Sequence, residues 1–228
     1  MVKPVYDLTI TNGTLATHET SETVNIGITD GRFAALGDVG ADQGREHIDA
    51  TGLTILPGVI DTQVHFREPG IEHKEDLQSG SLAAVMGGVT GVFEMPNTKP
   101  PTTTAEAIED KVARATNRMH CDFAFYVGGT HENAAQLPEL ERMEGICGVK
   151  VFMGSSTGNL LVPDDDGVGE ILKHINRRAA FHSEDEYRLR ERRPLAETGN
   201  VLTHPVWRDE EAAISSTRRL IKLAREAN

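Results

Sequence analysis

The hydrophobic rhythm of the chain changes at Pro57, and no other feature constrains the fold as much. Before it, residues 6 to 56 read as short strands set between turns: Tyr6 to Thr11, Glu22 to Thr29, Arg32 to Leu36 and Thr54 to Leu56. Asn12-Gly13 and Asp30-Gly31 supply the turn chemistry that tolerates positive φ. After Pro57, strand-like apolar runs alternate with helical patterns such as Thr104 to Asn117 and Asp209 to Ala227, the order expected of βα units on a parallel sheet. The spacing therefore predicts an α/β fold with a small β-sandwich-like domain over residues 1 to 56 and βα units over 57 to 228. About five strand–helix units can be counted, whereas a complete eight-stranded barrel takes ~250 residues. Residues 57 to 228 are thus expected to form about five βα units on one parallel sheet, too few for such a barrel.

Composition narrows the class of protein. With 38% hydrophobic and 25% charged residues the chain is of ordinary globular type, and no apolar run approaches the ~20 residues that span a bilayer. Met1-Val2-Lys3-Pro4-Val5 lacks the apolar stretch of a secretory signal, and Cys121 and Cys147 are the only cysteines, so a cytoplasmic location is expected. A formal net charge of -12 argues against a nucleic-acid partner, which calls for a basic face.

The segment Asp61-Thr62-Gln63-Val64-His65-Phe66-Arg67-Glu68-Pro69-Gly70 closes the first strand after the boundary. Side chains two apart on a strand share a face, which puts Gln63, His65 and Arg67 on one surface and Val64 and Phe66 on the other. It resembles the Asp-x-His-x-His-x-Arg signature of dihydroorotases and the wider amidohydrolase superfamily, with Gln63 where that signature has its first histidine. Further along, Gly87-Gly88-Val89-Thr90-Gly91-Val92-Phe93-Glu94-Met95-Pro96-Asn97-Thr98 resembles the second barrel strand of a dihydroorotase. Gly148-Val149-Lys150-Val151-Phe152-Met153 and Ala180-Phe181-His182-Ser183-Glu184-Asp185 resemble the fourth and fifth strands of metal-dependent cyclic amidases. Four matches in order, covering nearly the whole chain, are far more specific than any one of them.

The resemblance implies a small-molecule cyclic amide as substrate and one or two zinc ions held by His65, His182 and Lys150, with Gln63 as a weaker candidate ligand because an amide oxygen binds Zn²⁺ less well than imidazole. Lys150 matches the lysine that reacts with carbon dioxide to give a metal-bridging carbamate. That reaction needs a neutral amine, and a strand position between Val149 and Val151 suits one. Arg67 and Asn97 match the residues that grip the substrate carboxylate; the plain alternatives are an arginine held by Glu68 or Glu94 and an asparagine closing a turn after Pro96. The plain alternative for Lys150 is an ion pair with a carboxylate. The resemblance also implies that residues 57 to 228 form a partial (β/α)8 TIM-like barrel, about five of eight strands, with three further strands expected beyond Asn228; in such a barrel residues at strand C-terminal ends meet on one rim, so His65, Asn97, Lys150 and His182 are expected to converge.

Asp164-Asp165-Asp166-Gly167 reads as an acidic turn in a region from which some dihydroorotases draw an aspartate ligand. The basic residues Arg218, Arg219, Lys222 and Arg225 read as a solvated helix face, and His204 as a loop residue. The strand-six histidine and the general base of the family match nothing within the 228 residues and are expected beyond Asn228. The whole protein is accordingly expected to be a zinc-dependent dihydroorotase that interconverts dihydroorotate and carbamoyl aspartate in pyrimidine biosynthesis, acting as a homo-oligomer. Two rivals stand beside it: a hydantoinase, dihydropyrimidinase or allantoinase, and a non-catalytic subunit that scaffolds aspartate transcarbamoylase, which Gln63 favours.

Overall fold

The computed structural model describes residues 5–155 and 160–227, and the backbone divides into two compact units, Met1–Gly58 and Val59–Asn228. The first unit is built of strands apart from one 3-10 turn at Ala41–Gln43. Strands β1 (Tyr6–Thr11), β2 (Thr14–Ala16), β3 (Ser21–Thr23), β4 (Asn25–Thr29), β5 (Arg32–Gly37), β6 (Gly44–Asp49) and β7 (Thr54–Ile55) form two sheets, ordered β5-β4-β1-β6 and β3-β2-β7. The Asn12 and Asp30-Gly31 turns have positive φ as their sequences require. The stretch expected as one strand from Glu22 to Thr29 is two, because β3 pairs with β2 while β4 pairs with β1. Strand β6 was not legible: Arg45-Glu46-His47 is polar, and the strand lies at a sheet edge, where only one flank needs a partner.

In the second unit, β8 (Val59–Val64), α1 (Leu77–Met86), β9 (Val89–Glu94), α2 (Ala105–Ala115), β10 (Asp122–Gly128), α3 (Leu137–Leu140), β11 (Ile146–Phe152), α4 (Asp165–His174) and β12 (Ala179–His182) alternate; α5 (Glu186–Arg192), α6 (His204–Trp207) and α7 (Glu210–Ala227) follow. The five strands pair in parallel and in sequence order, β8-β9-β10-β11-β12, as five consecutive units of a (β/α)8 barrel do. The inner strands of the sheet are covered on both faces, while β8 at its edge is largely exposed. Val92, Phe125, Val127, Val149 and Val151 pack against Leu77, Ile108 and Ile171 from the helices, while Met95, Tyr126 and Cys147 gather Phe93, Ala124 and Ala180 into a second cluster. A strand buried on both sides reads as a continuous apolar run, which is why every residue of β11, Ile146 to Phe152, is buried, Lys150 included.

Three local expectations are corrected. Asp164-Asp165-Asp166 is a helix start: Asp164 caps α4 by accepting from Gly167 N at 2.8 Å and pairs with His131 at 2.7 Å, and Asp165 pairs with Arg219 at 2.8 Å. Those bonds use the carboxylates locally. Arg219 is no solvated residue, since it also reaches Asp185 at 3.2 Å and Pro163 O at 2.7 Å, fastening α7 to the loops around it. His204 opens the one-turn helix α6 and lies in no loop. No helix among the described residues is long and apolar enough to cross a membrane.

Candidate functional site

A parallel sheet puts all its strand C-termini at one edge, so β8, β9, β11 and β12 deliver His65, Asn97, Lys150 and His182 to the same side of the second unit. The segment after β8 is held by what surrounds it. Phe66 enters the core against Gly80 of α1, where a Cβ would collide with its ring. Glu68 is buried, accepts from Leu77 N at 3.0 Å and takes two bonds from Arg118 at 2.8 and 3.1 Å. Burial pushes the Glu68 carboxyl up, yet the Arg118 and Leu77 bonds outweigh it and hold it below its usual range. Between these anchors Arg67 takes a left-handed backbone at φ 65°, a conformation that costs a non-glycine residue about 1 kcal/mol and recurs at functional sites.

His65 and Asn97 are brought together directly, His65 Nδ1 lying 2.9 Å from Asn97 Oδ1. An amide oxygen only accepts, so Nδ1 carries the proton and Nε2 is the free nitrogen. Burial, followed by the charge of Arg67, lowers the His65 pKa, and Lys150 and Lys111 act in the same direction. Those influences locate Arg67 and Lys150 in the electrostatic surroundings of His65. Asn97 is 4% exposed and spends its oxygen on His65, which makes it more than the closure of a turn. Neither carboxylate proposed as a holder of Arg67 does so, because Glu68 serves Arg118 and Glu94 forms a buried pair with Lys111.

Lys150 is 3% exposed, and burial alone lowers its pKa to about 8. Among the described residues no carboxylate pairs with its ammonium, whose recorded contact is the Phe152 ring at 5.1 Å. The same ring stacks on His182 at 6.0 Å between centroids and 28° between planes, and Phe152 and His182 are paired in register. Phe152 thus bridges Lys150 and His182. His182 Nε2 lies 2.6 Å from Glu184 Oε2, so this nitrogen donates to the carboxylate and Nδ1 is the free one. Burial pushes the Glu184 carboxyl up, but bonds from Arg208 and His182 hold it below its usual range.

Gln63 behaves differently. The β8–β9 register shifts between Asp61 and Val64, an irregularity that breaks the strict alternation expected of positions 63, 65 and 67. Gln63 is exposed, and its backbone N–H is taken by Asp61 Oδ1 at 3.0 Å.

The sequence reading missed Glu184 with Arg208, and Glu94 with Lys111. Lys111 Nζ, fully buried on α2, donates to Met95 O at 3.0 Å beside its pair with Glu94. Burial pushes the Glu94 carboxyl up in spite of Lys111. Lys111 at an apolar-face position of α2 was a signal of this pair; Arg208, in the link between α6 and α7, offered none.

The donors suit a zinc ion in type: two imidazoles, each with one nitrogen committed to an acceptor and the other without a hydrogen bond among the described residues, and an amine pushed toward neutrality. In number they fall short, for among the described residues no three His, Cys, Asp or Glu side chains group closely enough to hold a metal ion.

Residues 52–143 match the dihydro-orotase-like family. The chain is similar to an allantoinase of Rubrobacter xylanophilus, 38% identical over 176 residues, covering 77% of this chain and 37% of that protein. It is also similar to a dihydroorotase of Methanosarcina mazei, 36% identical over 184 residues, covering 79% and 40%. An L-hydantoinase (dihydropyrimidinase) from Arthrobacter aurescens superposes with a TM-score of 0.88 at 27% identity, over 98% of this chain and 51% of that one. The chain spans about two fifths of the length of those curated relatives and about half of that structure. With the parallel sheet and the four ordered strand-end motifs, these matches establish that the chain belongs to the dihydro-orotase-like amidohydrolases.

Proposed function

We propose that the protein carrying this chain is a hydrolase of cyclic amides that bear a carboxylate, with dihydroorotate, opened reversibly to carbamoyl aspartate, as the substrate that fits best. One observation carries the choice of substrate: Arg67, two residues past His65, holds a left-handed backbone, and Glu68 and Glu94, the two carboxylates considered as its holders, pair with Arg118 and Lys111 instead. A guanidinium with no carboxylate ion pair among the described residues suits a bidentate grip on one from the substrate. His65, His182 and Lys150, the last as its carbamate, are the residues of this chain that would hold zinc. When bound, zinc polarises the ring carbonyl and acidifies a water. The chain's own contributions are orientation of the ring through Arg67 and exclusion of water around Lys150 by β11, whose residues are all buried.

The rival substrates keep a specific support, since the similar proteins include allantoinases and hydantoinases. Turnover of dihydroorotate, hydantoin and allantoin, measured side by side on the whole protein, separates them. Dihydroorotate is expected to dominate. Arg67→Gln is expected to lower kcat/KM for dihydroorotate about 100-fold, the loss of one charge-assisted pair of about 2–3 kcal/mol, while leaving hydantoin turnover within a few-fold. Equal losses on both substrates would remove Arg67 from carboxylate binding. A protein that turns over none of the three and binds no zinc would point to the scaffolding subunit, with co-purification of aspartate transcarbamoylase as its signature.

A further inference from the structure

Around His182 a second set of charged side chains is arranged with more care than a surface ion pair needs. Arg208 Nε donates to Glu184 Oε1 at 2.9 Å and its Nη2 reaches both Glu184 Oε2 and, at 2.6 Å, Ser155 O. The guanidinium lies 5.1 Å from the centroid of the Trp207 ring, whose Nε1 donates to Leu189 O at 2.8 Å. Glu186 fixes Ser155 in turn, accepting from its N at 2.7 Å and its Oγ at 2.5 Å. The loop that carries Glu184 is pinned on each side: Met153 N donates to His182 O at 2.9 Å, Ser183 Oγ reaches Ser216 Oγ at 3.0 Å and Asp185 N donates to Ala212 O at 2.8 Å.

We propose that Glu184, gripped by Arg208, is the positioning residue of His182, holding the imidazole in the single tautomer and orientation that leave Nδ1 as its working nitrogen. The physical reason is one of options. A neutral imidazole exchanges its proton between two nitrogens, and an acceptor that cannot donate, fixed 2.6 Å from Nε2, admits one form only. Phe152, stacked beside the ring at 6.0 Å between centroids, restricts its rotation further. Arg208 is essential because a lone half-buried carboxylate would turn toward water. The fork keeps both its oxygens in place, and the bond to Ser155 O ties the fork to the end of β11, the strand that carries Lys150.

The inference rests on the reading of His182 as a site residue, yet its test does not need zinc or turnover. Long-range 1H–15N spectra of the whole protein, 15N-labelled at its histidines and assigned with His182→Gln, report which ring nitrogen bears the proton. The wild type is expected to show His182 protonated at Nε2 alone. Glu184→Gln supplies an amide that can donate as well as accept, and is expected to give a mixture or the reverse tautomer; Glu184→Asp is expected to restore the wild-type pattern at least in part. Should Glu184→Gln fail to fold, Arg208→Lys, which keeps the charge and loses the fork, is expected to broaden the same resonances. If zinc binds, Glu184→Gln is expected to weaken it about 10–100-fold. An Nε2-protonated His182 whose spectrum is indifferent to Glu184→Gln and to Arg208→Lys overturns the positioning role. A protein that shows the tautomer switch but hydrolyses no cyclic amide overturns the functional reading and leaves this inference standing.

Discussion

Lys150 is the residue whose surroundings make the sharpest quantitative statement. Its pKa falls from 10.5 to about 8 through burial, so in the window between those values the unfolded chain holds a proton that the folded one has released. Stability conferred by this position should therefore rise as pH climbs from 8 to 10.5, by up to about 3 kcal/mol. Below pH 8 both states are charged, and the fold carries the full cost of a buried ammonium. Lys150→Met, similar in length and without a charge, is expected to raise the urea midpoint at pH 7 and to flatten the rise above pH 8; an unchanged pH profile would mean that water reaches the amine. At Gln63 the expected result lies in metal content. Gln63→His replaces an amide with an imidazole, and metal stoichiometry of the whole protein is expected to increase. No increase would mean that the irregular β8–β9 register has carried this position out of reach.

At the scale of elements, α2 is bolted to β9 through the buried Lys111–Glu94 pair, and the bolt lies directly under the site, because Glu94 precedes Met95-Pro96-Asn97 and also accepts a backbone bond from Phe66. Removing one partner strands a buried charge, whereas removing both need not. Lys111→Met is expected to cost about 3–5 kcal/mol, and Lys111→Met with Glu94→Leu to recover most of it. Urea unfolding of the two variants decides this, and a double variant as unstable as the single would make the pair more than a charge compensation. The same elements show what a sequence yields. Strands β9 and β11 were legible through their resemblance to family strand motifs, and β1 and β5 from their flanking Asn-Gly and Asp-Gly turns, whose local chemistry decides them. The contacts made by Asn97, Glu184, Arg208 and Lys111 were not legible, because each depends on a partner from a different element that only the assembled sheet supplies. Periodicity set Gln63, His65 and Arg67 on one face and could not see the register shift between Asp61 and Val64, since a bulge leaves no mark in hydrophobic order.

For the whole molecule, the five-stranded sheet decides how these 228 residues behave in isolation. Its order leaves β8 and β12 each with one flank that no described strand covers. Near the β8 edge Val59 and Ile60 are exposed, as are Leu82, Val85 and Met86 of α1, and unpaired parallel edges beside apolar surface promote association. Opposing that tendency is a formal net charge of -12, whose repulsion acts through solvent and is screened by salt. The two effects predict a specific dependence. Light scattering after size exclusion is expected to show the isolated chain growing in mass with protein concentration, and more so at high salt than at low. Ile60→Lys, which adds a cation to the edge strand, is expected to reduce the growth by obstructing a second strand, even though it lowers the magnitude of the net charge. That last feature separates edge pairing from charge balance: if association follows net charge, Ile60→Lys aggregates more than the wild type, and if it follows the open edge, it aggregates less. A chain that remains monomeric at every concentration and salt would show that neither edge is available, and that the exposed face of β8 is satisfied without another strand.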